Sequence, residues 1–275
     1  MSNLIGGAFS AIVNGGLGAL GLRLVRRDRW LPKPASEPLS YDGDRMVLFG
    51  RNLAFLADRR FQAAYAQGMD SGHHIGRLPG SHDDIGIQFR VYVECWAAEQ
   101  ALHVPGDFVC CGVNTGINPL AICSYLDFNA TGRRFFLFDT YEGIPEAQMS
   151  EAERGERVAE NEVMYSDCWE IARRNFAPYP GAQLVRGLVP DTLTSVEIDR
   201  VAYLSIDMNI AYPERKAIEF FWPKLSPGGL VILDDYAFAR YEEQHATMNE
   251  FAASVGVSIL TLPTGQGLIV KPATA

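Results

Sequence analysis

Three carboxylates stand at the ends of two mostly apolar runs. The run Val201–Ile206 ends on Asp207, and Leu230–Leu233 ends on Asp234 and Asp235. Short apolar runs of this kind read as strands buried on both faces of a parallel sheet. If the two strands are neighbours, their axes lie about 5 Å apart and all three acids converge on one edge of the sheet. Three carboxylates there repel one another, and a hard divalent cation would neutralise them. An all-oxygen ligand set points to magnesium rather than zinc. Each Asp taken singly could instead cap the helix that follows it.

Other strand ends carry binding chemistry. The run Phe108–Val113 leads into "CGVNTG", where Gly112 and Gly116 let the chain turn tightly and bring backbone N–H groups to a ligand at a helix N-terminus. The spacing is not Gly-x-Gly-x-x-Gly. Asp139 follows the next run, 27 residues after Gly112, about where a nucleoside-binding βαβ unit places the acid that accepts ribose hydroxyls. A helix cap is its plainer role. Gly187, after Ala182–Arg186, either lets a loop approach an adenine ring or serves an ordinary turn.

These ends must be held by a scaffold, and from Asp107 onward short apolar runs alternate with helical patterns, as in crossover-connected parallel sheets. Expected strands are Phe108–Val113, Arg134–Phe138, Ala182–Arg186, Val201–Ile206 and Leu230–Leu233. Helical stripes run through Ile218, Phe221, Trp222 and Leu225, and through Met248, Phe251, Ala252 and Val255. "SILTLPTGQGLIVKP" reads as a terminal antiparallel hairpin. Upstream, Phe49, Leu53 and Leu56 keep helical spacing, as do Phe89, Val93 and Trp96; Trp96, Trp169 and Trp222 are expected in the core. Between the two stripes lies a Gly-, Pro- and His-rich loop, Met69–Asp84. Its His73, His74 and His82 are either solvent-exposed or, if the loop closes as a lid, proton acceptors.

A net charge of -9 and a pI near 5.1 exclude a backbone-contacting nucleic-acid binder. Five cysteines with no Cys-x-x-Cys pair exclude structural zinc. They read as small buried thiols in a reducing, cytoplasmic setting, with a vicinal Cys110–Cys111 disulfide as the alternative. The uncharged stretch Leu4–Leu22 precedes basic "RLVRRDR". Its small residues at four-residue spacing favour close packing on protein, with a peripheral membrane contact through residues 4–27 as the alternative. "LPKPASEP" follows as a linker.

Together, "GDFVCCGVNTG", "FLFDTYEGIPE", "LVPDTL", "LSIDMN" and "KLSPGGLVILDDY" resemble class I S-adenosylmethionine-dependent methyltransferases, and more narrowly the macrocin O-methyltransferase type, which methylates sugar hydroxyls on antibiotic scaffolds. The resemblance covers roughly Trp96 to Pro272. It implies an α/β, Rossmann-like seven-stranded sheet, mostly parallel with an antiparallel last strand and helices on both faces; the N-terminal helical extension lies outside the resemblance and is expected from the apolar stretch itself. The expected organisation is an apolar helix and linker over 1–45, a helical cap over 46–106, and the methyltransferase catalytic domain over 107–275. The cofactor, S-adenosylmethionine, is implied at Cys111, Gly112, Val113, Asn114, Thr115 and Gly116, at Asp139 and Thr140, and at Gly187. Mg²⁺ is implied at Asp207, Asp234 and Asp235, with Asp207 also the catalytic residue. The implied reaction is in-line methyl transfer to a hydroxyl of a small molecule or sugar, in a homo-oligomer. A non-catalytic adenosyl-ligand-binding scaffold is the alternative. Three positions depart from the family: Cys110 replaces an acid, Asn209 replaces a second Asp, and Ile210 stands where the related catechol enzymes carry a basic Lys.

Overall fold

The structure is a computed structural model and describes residues 37–73 and 84–273. The apolar N-terminal stretch, most of the linker, His74 and His82 lie outside the described residues. The chain opens with a two-stranded hairpin, β1 (Leu39–Gly43) and β2 (Met46–Phe49). Helices α1 (Arg59–Met69) and α2 (Gln88–Ala101) follow. Then come β3 (Asp107–Cys111), α3 (Ile117–Tyr125), the short α4 (Phe128–Thr131) and β4 (Phe135–Asp139). Next are α5 (Glu151–Met164), α6 (Trp169–Phe176), β5 (Ala182–Arg186) and β6 (Val201–Ile206). The chain finishes with α7 (Ala211–Phe221), β7 (Leu225–Leu233), α8 (Glu242–Ser254), β8 (Leu260–Thr261) and β9 (Gly267–Val270).

The seven-stranded sheet has the order β5-β4-β3-β6-β7-β9-β8. Strands β3 to β7 are parallel, and β9 pairs antiparallel with both β7 and β8. This matches the expected strands and the terminal hairpin. From β3 the chain steps outward through β4 and β5, then returns to place β6 on the other side of β3. The order therefore reverses between β3 and β6, the point where open α/β sheets leave a crevice beyond their strand ends.

Alternation along β3 explains why its run is apolar throughout. Phe108 and Cys110 face the core under α1, α2 and α3, while Val109 and Cys111 face the core with Ile218, Phe221 and Phe251 of α7 and α8. All five cysteines are free and buried, as expected of apolar thiols. Two helices begin on conventional caps. Asp58 accepts from the Arg60 N–H at 2.8 Å, and Ser150 forms a reciprocal capping box with Glu153.

The stripe Phe49, Leu53, Leu56 is not one helix. Phe49 ends β2, Gly50 turns the chain in the left-handed region at φ 60°, and Ala54–Ala57 form a single 3₁₀ turn before α1. The hairpin turn also falls across the expected boundary at residue 45. In α2 the buried face is carried by Val91, Glu94, Cys95 and Ala98, which leaves Trp96 39% exposed rather than in the core. Trp222 is buried and Trp169 is partly so.

Candidate active site

Gly112 closes β3 against the end of β6. Its φ is 93°, and a Cβ there would stand 1.7 Å from the Asp207 carbonyl oxygen, so no other residue fits without moving one of the two strands. The Gly112 N–H donates to Phe138 O at 2.9 Å and the Asp207 N–H donates to Cys111 O at 2.8 Å, locking three strand ends together. Beyond them opens a cavity of about 840 Å³.

One half of the cavity is the glycine loop and the β4 end. Asp139 Oδ2 accepts from the N–H groups of Val113 at 2.6 Å and Asn114 at 2.7 Å. Its Oδ1 accepts from the Tyr141 N–H at 2.6 Å and the Thr140 hydroxyl at 3.3 Å. Asp139 thus braces the loop as well as facing the cavity, a role no spacing argument supplied. Gly112, Val113, Asn114, Asp139, Thr140 and Gly187 line the cavity. Cys111, Thr115 and Gly116 stand behind it: Cys111 in the opposite core, Thr115 donating its hydroxyl to Ser71 at 3.0 Å, and Gly116 at the start of α3. Cys110 takes the lining position instead.

The other half is the acid cluster. Asp207, Asp234 and Asp235 each offer an oxygen within 4.8 Å of the others, as the sequence implied. Asp234 and Asp235 are buried, and Asp235 Oδ2 has no hydrogen-bond partner. Burial, then Asp234, push the Asp235 carboxyl up to about 7. Burial, with Asp234 and Asp235, also pushes Asp207 well above the carboxylate range. Three acids packed this way carry more negative charge than the neighbouring Arg90 and Arg157 offset. Asp234 is oriented at both oxygens, since Arg90 Nη1 donates to Oδ2 at 3.0 Å and Gln266 Nε2 donates to Oδ1 at 2.9 Å.

Around the acids stand further polar and aromatic residues, of which the sequence raised only Asn209 and His73. Asn209, at φ 63°, accepts from the Tyr241 hydroxyl at 3.1 Å, and the nearby Tyr165 phenol is pushed up by burial and by Asp207 and Asp235. Arg157 of α5 lies buried over the Tyr241 ring at 3.8 Å and donates to both Glu160 oxygens at 2.6 Å. His73 is buried, lines the cavity and packs its ring edge-on to Tyr165 at 6.1 Å, so it is not a solvent-exposed loop histidine. Behind Cys110 and Ser205, Glu94 accepts hydrogen bonds from the hydroxyls of Tyr203 and Ser205. No local pattern marks Arg90 or Glu94, because their partners lie far away in sequence, 46 and 144 residues from Arg90 and 109 from Glu94.

A sheet that reverses between β3 and β6, a glycine loop at the first strand end and acids at the next ones define the Rossmann-like methyltransferase fold. Solved structures share it. The O-methyltransferase NovP superposes with a TM-score of 0.62 at 23% identity, covering 74% of this chain and 88% of its own. The calicheamicin methyltransferase CalS11 superposes at 0.51 and 16%, covering 80% and 97%. Residues 86–259 match the Macrocin-O-methyltransferase (TylF) family, and the chain belongs to that family. Among curated relatives, the Streptomyces olivaceus 8-demethyl-8-(2,3-dimethoxy-alpha-L-rhamnosyl)-tetracenomycin-C 4'-O-methyltransferase is 33% identical over 162 residues, 56% of this chain and 61% of that protein. The Streptomyces niveus demethyldecarbamoylnovobiocin O-methyltransferase is 30% identical over 142 residues, 49% of this chain and 54% of that one. The Micromonospora griseorubida mycinamicin III 3''-O-methyltransferase is 24% identical over 172 residues, 55% and 67%. The match thus spans somewhat more than half the length of the first two relatives. Among the described residues, no helix is long and apolar enough to cross a membrane.

Proposed function

We propose that the protein transfers a methyl group from S-adenosylmethionine to a hydroxyl of a small molecule or sugar, with Mg²⁺ at Asp207, Asp234 and Asp235. One observation carries this reading: the acid cluster and the Asp139-braced glycine loop open into the same cavity, on either side of the Gly112–Asp207 contact. The residues fit a hard cation. They provide oxygen only, they lie within 4.8 Å of one another, and the buried Asp235 Oδ2 lacks a partner. Relatives named for a rhamnosylated tetracenomycin and for mycinamicin III support a glycosylated natural product as acceptor.

The cofactor supplies an electrophilic methyl group, and the cation, when bound, makes an acceptor hydroxyl more acidic. The chain's own residues align the two partners. Gly112, Val113 and Asn114 present backbone to the methionine end. Asp139 faces the ribose, where its weakest bond, the 3.3 Å one from the Thr140 hydroxyl, is the one that yields. Asp207 adjoins Gly112 on one side and the other two acids on the other, so it is our assignment for both cation ligand and acceptor of the hydroxyl proton. Asn209 contributes no base; held by Tyr241, it shapes the wall beside Asp207.

Calorimetry with S-adenosylmethionine, with Mg²⁺ or with EDTA, tests the binding half; no heat under either condition sinks it. A panel of glycosylated and vicinal-diol acceptors then tests turnover. Methyl transfer that survives EDTA would refute the cation assignment, and cofactor binding without turnover on any acceptor would favour the scaffold alternative.

A further inference from the structure

The β1–β2 hairpin lies outside residues 86–259, the part that matches the family, yet its turn residues Asp44 and Arg45 line the same cavity as the acid cluster. Both turn residues are left-handed, at φ 46° and 60°, a conformation that non-glycine residues seldom adopt. The hairpin is seated against the start of α2. The Tyr41 hydroxyl donates to Gly86 O at 2.9 Å, and a Cβ on Gly43 would come within 2.7 Å of that same oxygen. Two backbones in contact leave the turn little freedom.

What the turn delivers is a charge for Arg90. Arg90 Nη2 donates to Asp44 Oδ1 at 3.1 Å and Nε to Asp44 Oδ2 at 3.4 Å, while Nη1 holds Asp234 at 3.0 Å. The three side chains are 18%, 7% and 4% exposed for Arg90, Asp44 and Asp234. The guanidinium also lies over the Phe238 ring at 4.6 Å. A fork that grips a carboxylate bidentately is a directional contact, so Asp44 fixes where Arg90 points and Arg90 fixes Asp234.

We infer that Asp44 is a positioning residue of the cation site, holding and neutralising Arg90 so that Asp234 is oriented without its charge being cancelled. The inference rests on the Mg²⁺ reading above. Without the Asp44 charge, the guanidinium is a buried cation whose remaining partners are the acids themselves, and it competes with any divalent ion for them. The family match begins after the hairpin, so this control belongs to the segment that precedes it.

The test is Mn²⁺ affinity of the full chain, measured by electron paramagnetic resonance, for the wild type, Asp44→Asn, Asp44→Glu and Asp44→Gly. Asp44→Asn keeps the shape and should weaken Mn²⁺ binding by about five-fold or more, since one screened charge near a divalent ion is worth at least that. Asp44→Glu should recover part of the loss. Asp44→Gly removes the charge while relaxing the left-handed backbone, so it should melt no lower than the wild type in EDTA and still bind Mn²⁺ weakly. A merely structural Asp44 would give the reverse pattern, with changed melting and unchanged Mn²⁺ affinity. Affinities within two-fold of the wild type in Asp44→Asn and Asp44→Gly overturn the inference alone. A wild type that binds no Mn²⁺ overturns the cation reading and the inference with it.

Discussion

Glu94 offers a pH experiment whose sign and size follow from its surroundings. The side chain is fully buried on α2, and burial, followed by the nearby Asp234, raises its carboxyl from the usual 4.5 to about 8 against the opposing hydrogen bonds of Tyr203 and Ser205. Between pH 4.5 and 8 the folded protein therefore carries a proton on Glu94 that the unfolded chain has released. Folding stability is full below 4.5 and falls as pH rises toward 8, by about 1.4 kcal/mol per pH unit. At pH 7 the accumulated loss is about 3 kcal/mol relative to acid, a large share of a typical domain's 5–15 kcal/mol. Glu94→Gln has nearly the same shape and cannot titrate. Urea unfolding of both proteins in EDTA, from pH 5 to 8.5, should show the variant gaining on the wild type at that slope and levelling off above pH 8. A difference that does not change with pH would refute the claim that Glu94 is protonated in the folded state. The protonated form also keeps a fourth negative charge away from the acid cluster, so the experiment bears on the site as well as on the fold.

Asp235→Asn should separate stability from cation binding. It relieves a crowded, partly unpartnered carboxylate, so in EDTA the variant should be as stable as the wild type or more so by about 1 kcal/mol, while the rise in melting temperature with added Mg²⁺ disappears. An undiminished Mg²⁺ response would remove Asp235 from the ligand set. Gly112→Ala must push a methyl group into the Asp207 carbonyl from a left-handed backbone, and is expected to cost several kcal/mol and to abolish adenosyl-ligand binding in calorimetry. Wild-type affinity in that variant would contradict the close approach of the two strand ends. Asp139→Asn loses the charge that two backbone N–H groups share, and should lower stability by about 1–2 kcal/mol and weaken cofactor binding together. Weakened binding with unchanged stability would mean that Asp139 serves only the ligand.

Much of the fold was legible because periodicity is local. Strands β3 to β6 fall within a residue or two of their apolar runs, and the "PTGQG" turn announced the β8–β9 pair. The N-terminal hairpin was not legible, since its short strands are half exposed and their pattern overlaps a helical one. The buried face of α2 was also missed. Its core residues are Val91, Glu94, a cysteine and alanines, a mostly small-residue face that a search for a stripe of large apolar side chains does not reveal.

The sequence by itself determined which acids end which strands, because strand length and the residue after each apolar run are local properties of the chain. That was enough to bring Asp207, Asp234 and Asp235 together, given neighbouring parallel strands, and to place Asp139 beside the glycine loop. Only the tertiary structure decided how those charges are balanced. Arg90 meets Asp44 across 46 residues and Asp234 across 144, Glu94 meets Tyr203 across 109, and Gln266 meets Asp234 across 32. Such pairs are set by how helices and loops pack over the sheet, and packing depends on shape summed over the whole core. No run of neighbouring residues contains it.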